Sequence, residues 1–230
     1  MPCQIRLLKG CDYIQNGTDV PLLTEQHKLR YREVVEKCGW ENVCGKDNEE
    51  ADQYDTEDTE YIIALDEENR VVGTLRIRPT SKNYMLSEQF PYLATEDLPK
   101  TDKIYEASRL VVDRTLFNKE QRKSVVDRLL LACMEIAEIK GIDGYVGFMY
   151  PKIWESTFSR CGWEVRWLGE ETALKKNGEV VRAAYLPAHK DIKNNMRQET
   201  GWFVPVLNFE TRLKETIRAT ASKKKKKFMT

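Results

Sequence analysis

The 230-residue chain carries 37 basic and 37 acidic side chains, so no global field recruits nucleic acid and any electrostatic recognition must be local. At 41% hydrophobic and 32% charged residues it has the composition of a soluble globular protein with material for one sizeable core. No stretch approaches the roughly 18 apolar residues that cross a bilayer, and the opening Met1–Ile5 lacks the basic and apolar regions of a secretory signal, so a cytoplasmic protein with no membrane partner is expected.

Six cysteines (Cys3, Cys11, Cys38, Cys44, Cys133, Cys161) are scattered without C-x-x-C spacing beside only two histidines. That pattern predicts reduced thiols rather than a metal site or a disulfide framework.

Gln4 to Leu8 reads as a first strand and Cys11 to Thr18 as a loop. From Pro21 to Cys38, Leu22, Leu23, His27, Tyr31, Val34, Val35 and Cys38 recur at helical spacing, an amphipathic helix opened by proline and closed by Gly39. Arg30 and Trp40 flank the turn at its end. Glu41 to Thr59 is polar and ends in Asp52-Gln53-Tyr54-Asp55-Thr56-Glu57-Asp58-Thr59, either a solvated acidic loop or a functional lid. A hairpin follows, Tyr61 to Leu65 and Val71 to Arg78. Strict alternation puts Arg76 on one face with Val72 and Thr74, opposite Leu75 and Ile77. The segment Tyr84 to Pro91 fits the cap of a pocket.

Tyr105 to Val112 is an apolar run that carries Glu106 and Arg109. Ionised groups persist in such a strand only when paired or used, so it is either the floor of an active site or a strand-end ion pair. Lys119 to Lys140 is a long helix stopped by Gly141. Strand 144–150, helix 151–161, strands 164–168 and 179–186, and helix 187–197 complete an α/β (α+β) three-layer sandwich with a central mixed sheet flanked by helices. Residues 1–200 form one domain in this reading. Residues 201–230 are an extension whose run Lys223–Lys227 is expected to be solvated and disordered rather than a nucleic-acid arm.

The motifs Leu29-Arg30-Tyr31 with Trp40, Glu50-Ala51-Asp52-Gln53-Tyr54-Asp55, Val72-Gly73-Thr74-Leu75-Arg76 with Pro79-Thr80, Tyr84-Met85-Leu86 with Phe90-Pro91, and Glu106-Ala107-Ser108-Arg109 occur in that order over residues 4–170. In that order they resemble the LuxI-type autoinducer synthases, the acyl-homoserine-lactone synthases of bacterial quorum sensing. The resemblance implies a fold similar to the GCN5-type (GNAT) N-acetyltransferases. It also implies a reaction between S-adenosyl-L-methionine, a substrate rather than a cofactor, and an acyl thioester. The family's charged cluster carries over onto Arg30, Asp52, Asp55, Arg76, Glu106 and Arg109, with Trp40 as a wall of the methionine-donor pocket. Where the family usually has a further aromatic residue, this chain has Val34.

The chemistry needs the donor's α-amino group as a free amine, and Glu106 is the expected base. The arginines are expected mainly to hold the loop of Asp52 and Asp55. Glu106 and Arg109, three apart, share one cleft only if a β-bulge intervenes. Such a bulge would free backbone N–H groups near Leu110 and Val111 for the thioester oxyanion. Lactone closure, with loss of 5'-methylthioadenosine, is then a matter of positioning. The acyl chain is expected against Met85, Leu86, Phe90, Phe148, Met149, Trp154 and Phe158. Tyr150 stands where family members selecting 3-oxo chains tend to carry threonine. The segments 35–40 and 52–59, and Trp154 with Cys161-Gly162-Trp163, resemble the subgroup that uses acyl-coenzyme A. If acyl carrier protein is the donor instead, Arg122, Lys123, Arg128, Lys140 and Lys152 are its candidate dock. The rival readings are an N-acyltransferase acting on another amine, weakened by the absence of glycine between Arg109 and Gly141, and a non-catalytic binding domain of the same fold.

Overall fold

In the computed structural model, residues 3–11, 19–36, 48–116, 118–174 and 178–227 are described. β1 (Gln4–Lys9), β2 (Glu60–Leu65), β3 (Val71–Pro79) and β4 (Ile104–Val112) form an antiparallel succession. α1 (Val20–Arg30) lies between β1 and β2 and continues in wide π-helical turns over Tyr31–Glu36. α2 (Met85–Gln89) follows β3. From β4 the chain crosses through α3 (Lys119–Lys140) to β5 (Gly144–Met149), which lies parallel to β4. After α4 (Pro151–Ile153, continued through Trp154–Ser159) come the short β6 (Arg166–Trp167) and β7 (Thr172–Ala173), then β8 (Val180–Pro187). The sheet order is β1-β2-β3-β4-β5-β8-β6, with β7 on β8. α5 (Lys190–Thr200) and α6 (Phe209–Lys227) end the chain.

α3 has the bounds its sequence predicts because both ends are specified chemically. The Asn118 side chain accepts the Gln121 N–H while the Gln121 side chain accepts the Asn118 N–H, and Gly141 takes the left-handed conformation at φ 74°. Its buried side packs Val125, Leu129, Leu130, Cys133 and Ile136 against Ile62, Leu75, Ile77 and Tyr145 of the sheet. On the other face Leu23 and Leu29 of α1 pack on Leu8, Tyr61 and Ile63.

The structure corrects the alternation expected in the hairpin. Ala64 pairs with Gly73 but Leu65 pairs with Val71, so Val72 is the extra residue of a bulge and joins Leu75 and Ile77 in the core under α3. Arg76 keeps Thr74 as its face-mate and stands opposite Tyr61. The strand expected over 164–168 shrinks to two residues, and the last core helix begins at Lys190 because Pro187 still belongs to β8. Cys38, Gly39 and most of the loop expected over 11–18 lie outside the described residues.

The segment after Thr200 is not set apart from the core. Glu135 of α3 accepts the N–H groups of Val206 (2.9 Å) and Leu207 (3.1 Å), and Leu207 bridges to Ile5. α6 runs through Lys223–Lys227, so the backbone is helical where a disordered tail was expected.

One irregularity of the sheet organises the rest. β4 and β5 pair only at Ile104–Gly144, Tyr105–Tyr145 and Glu106–Val146, while β5 stays paired with β8 along its length. Beyond Glu106 the two parallel strands part. Gly147 sits at the point of divergence, where a Cβ would lie 2.6 Å from the Ala107 carbonyl oxygen.

Candidate active site

β4 bulges where its charged residues required it to. Arg76 pairs with Ser108 and Thr74 with Val111, so Arg109 and Leu110 of β4 together face Leu75 of β3. Arg109 adopts φ +57°, a left-handed conformation rare outside glycine that costs about 1–3 kcal/mol and persists only where its surroundings hold it. Met85 and the acids of the 50–55 loop provide that hold.

Three arginines and three carboxylates interlock on the α1 face of the sheet. Arg30, fully buried on α1, donates from Nε to Glu50 and grips Asp55 with both terminal nitrogens at 2.7 and 2.9 Å. Arg76 Nη1 reaches Asp52 at 2.6 Å and Asp55 at 3.0 Å. Arg109 reaches Glu50 from Nε at 3.1 Å and Asp52 from Nη2 at 2.8 Å. Tyr61 donates to Asp55 at 2.8 Å. The arginines therefore hold the acidic loop against the sheet, the role expected of them, and that loop is not a solvated run.

Glu50 is the member that the sequence reading missed. It stood inside a quoted motif, two residues ahead of Asp52, yet it is the acid that joins Arg30 to Arg109.

Burial alone would raise the carboxyl pKa values of Glu50 and Asp55. Arg30 and Arg109 outweigh it at Glu50, and Arg30 and Arg76 at Asp55, so both acids are held below their ordinary range. His27, on α1 beside this cluster, is driven down to about 4 by burial and then by Arg30.

Glu106 is different. It is buried outside the interlocked set, its Oε1 accepts the Leu86 N–H at 2.7 Å and its Oε2 the Met85 N–H at 3.2 Å. Burial raises its pKa, and Arg76 and those two N–H groups only partly offset the rise. Arg76 Nε donates to Ser108 Oγ at 3.0 Å, while its Nη2 is buried with no hydrogen-bond partner among the described residues.

A cavity of about 220 Å³ opens where β4 and β5 part. On the cluster side it is lined by Val34, Met85, Ser108 and Arg109, and along the strands by Ala107, Leu110, Phe148, Met149 and Tyr150. It passes between the strands to Leu130, Cys133, Trp154, Phe158 and Trp163. Of the expected acyl-chain residues, Leu86 and Phe90 are not on this wall. Leu86 turns into the cluster of Tyr84, Leu93 and Val146, and Phe90 backs Phe148 with ring centroids 4.7 Å apart. Cys133 and Trp163 were not anticipated, because a cavity that crosses a sheet borrows its inner wall from what reads as ordinary core. Trp40 lies outside the described residues.

The proposed carrier-protein dock does not hold together as a surface. Arg128 is buried, donates to the Cys3 carbonyl at 3.1 Å and lies 4.7 Å over the Trp202 ring. Lys140 is engaged by Glu60 and Glu215.

Comparison with known proteins places this arrangement. A family model described as autoinducer synthase matches residues 16–196. The chain belongs to the autoinducer synthase family. Among its members, the isovaleryl-homoserine lactone synthase of Bradyrhizobium diazoefficiens is 38% identical over 162 residues, 69% of this chain and 70% of that protein. The acyl-homoserine-lactone synthase of Acinetobacter nosocomialis is 40% identical over 96 residues, 41% of this chain and about half (52%) of that one. The solved structure of a CoA-dependent acyl-homoserine lactone synthase with SAM and isopentyl-CoA superposes with a TM-score of 0.77 at 25% identity, covering 94% of this chain and 100% of that chain. The fold of this autoinducer synthase is accordingly GNAT-like, with the mixed sheet and flanking helices that the sequence implied. No helix among the described residues is long and apolar enough to cross a membrane.

Proposed function

We propose that this family member is an acyl-homoserine-lactone synthase that transfers an acyl group from acyl-coenzyme A to the α-amino group of S-adenosyl-L-methionine and then closes the lactone, releasing 5'-methylthioadenosine. The observation that carries the reading is the cavity between β4 and β5: apolar within, and bordered on one side by Ser108, Arg109 and the interlocked charges. An acyl chain fits the apolar interior, and the charged rim suits a zwitterionic amino-acid donor. The choice of coenzyme A draws on the similarity to the CoA-dependent synthase and on the broken basic surface around Arg128 and Lys140.

Glu106 is the base in this scheme. An ammonium has no lone pair, so a proton must leave before the amine attacks the thioester carbonyl, directly or through one water. The raised pKa of Glu106 brings it toward the working pH, and each of its oxygens retains a lone pair beyond the N–H it already accepts. Of the two expected oxyanion positions, Val111 is paired with Thr74 and Leu110 lies in the bulge, so the backbone N–H of Leu110 receives the oxyanion. The nitrogen sheds a second proton as the tetrahedral intermediate collapses and expels the thiolate; of the two protons lost from the ammonium, one protonates the thiolate and the other passes to solvent. The methionine carboxylate then attacks its own γ-carbon and the sulfonium leaves as the thioether. Arg30, Asp52, Asp55, Arg76 and Arg109 hold the donor side of the site, with Val34 beside the methionine donor.

The test is an incubation of the protein with S-adenosyl-L-methionine and a panel of acyl-coenzyme A and acyl-carrier-protein thioesters, followed by mass spectrometry. The expected result is an acyl-homoserine lactone together with methylthioadenosine from a coenzyme A donor. Product from carrier-protein donors alone would overturn the choice of carrier. Acylation of another amine with the sulfonium untouched would overturn the reaction.

A further inference from the structure

We propose that α6 seats this protein on an anionic membrane surface. The helix has two opposed faces. Its inner side is fastened to the core by buried Thr211 and Glu215, the latter pairing with Lys9 at 3.3 Å and Lys140 at 3.4 Å. Its outer side presents Phe209, Leu213 and Ile217, spaced four residues apart on one line and 80%, 48% and 60% exposed. The turn before it adds Phe203 and Val204, each more than 60% exposed. Scattered exposed apolar residues need no explanation, but a contiguous strip of large ones marks a binding surface.

The occupant follows from what the strip ends in. The same helix runs on through the sequence run Lys223–Lys227, five lysines in succession. The exposed acid at the start of the strip, Glu210, is paired with Lys214 at 2.6 Å. An apolar line followed along the chain by five lysines fits the boundary between anionic headgroups and acyl chains, which offers both counterparts at once. A second copy fits poorly. Side by side and parallel, two such helices set lysine against lysine, and antiparallel they set lysines against the apolar strip. The family match ends at residue 196, so the surface lies beyond what the chain shares with that model.

The test is co-sedimentation of the full chain with vesicles of phosphatidylcholine alone and of phosphatidylcholine mixed equally with phosphatidylglycerol. Binding is expected to the mixed vesicles and not to phosphatidylcholine alone, and to weaken with added salt. The variant F209S/L213S/I217S is expected to bind about ten-fold or more weakly. Replacement of Lys223–Lys227 by glutamine is expected to cost roughly five-fold per lysine. Circular dichroism confirms that both variants remain folded. No binding to the mixed vesicles, or binding equal to wild type by the triple serine variant, overturns the proposal. So does a dimer that the triple variant dissociates while vesicles stay bare.

Discussion

The carboxylate of Glu106 accepts the backbone N–H of Leu86 at 2.7 Å. This one bond ties the candidate base to the short helix whose first residue, Met85, lines the cavity. Glu106→Gln keeps the size of the side chain and removes the base, and its expected effect is a fall in kcat of about 10²–10⁴-fold with a circular dichroism spectrum like that of wild type. Full turnover by this variant would show that Glu106 only positions α2.

The pH–rate profile carries a second signature of the same residue. A base works ionised, and the Glu106 pKa is raised, so kcat/KM is expected to climb with pH through a limb lying above the ordinary glutamate range. A limb at the ordinary glutamate position would remove Glu106 from the proton transfer.

Glu50 holds two arginines at once. Glu50→Ala leaves both partly unpaired in a buried place, and a loss of about 3–5 kcal/mol in urea denaturation is expected. A loss within 1 kcal/mol would mean that the loop re-forms its pairs without this acid.

His27 sets a pH window for stability. Its folded pKa of about 4 lies below the ordinary 6.5, so between these values the unfolded chain binds a proton that the folded chain refuses. Stability attributable to this group is fully present above pH 6.5 and is lost as the pH falls to about 4. His27→Gln is expected to flatten the stability–pH curve across that window, as read by denaturation at several pH values. An unchanged slope would show that His27 is protonated in the folded protein.

Cys133 lies on the inner wall of the cavity. Cys133→Phe is expected to lower kcat/KM for long acyl chains more than for short ones, in a competition assay read by mass spectrometry. A thermal midpoint lowered by overpacking worth about 1–3 kcal/mol is the accompanying cost. Equal loss for all chain lengths would place the acyl chain elsewhere.

Much of this was legible in the chain because local chemistry left few choices. Asn118, Gln121 and Gly141 specify both ends of α3, and the spacing of Glu106 and Arg109 required a bulge in β4. Glu50 escaped because an acid in an acid-rich loop looks solvated until its partners are known, and those partners come from α1 and β4, 20 and 59 residues away. Val72 was assigned to the wrong face because a bulge shifts the period of two by one residue. Arg128 and Lys140 look like surface charge on a helix, and only the packing of β1, β2 and the C-terminal segment on α3 encloses them.

The short β4–β5 ladder gives this sheet the character of a zip left half open. Three rungs from Ile104 to Glu106 hold it shut, and Gly147, with no side chain to wedge against Ala107, is the stop at which the slider rests. Beyond that stop the gap runs on to Leu130 and Cys133 of α3 and to Trp154, Phe158 and Trp163, so a greasy tail drawn into it leaves water against side chains already in place.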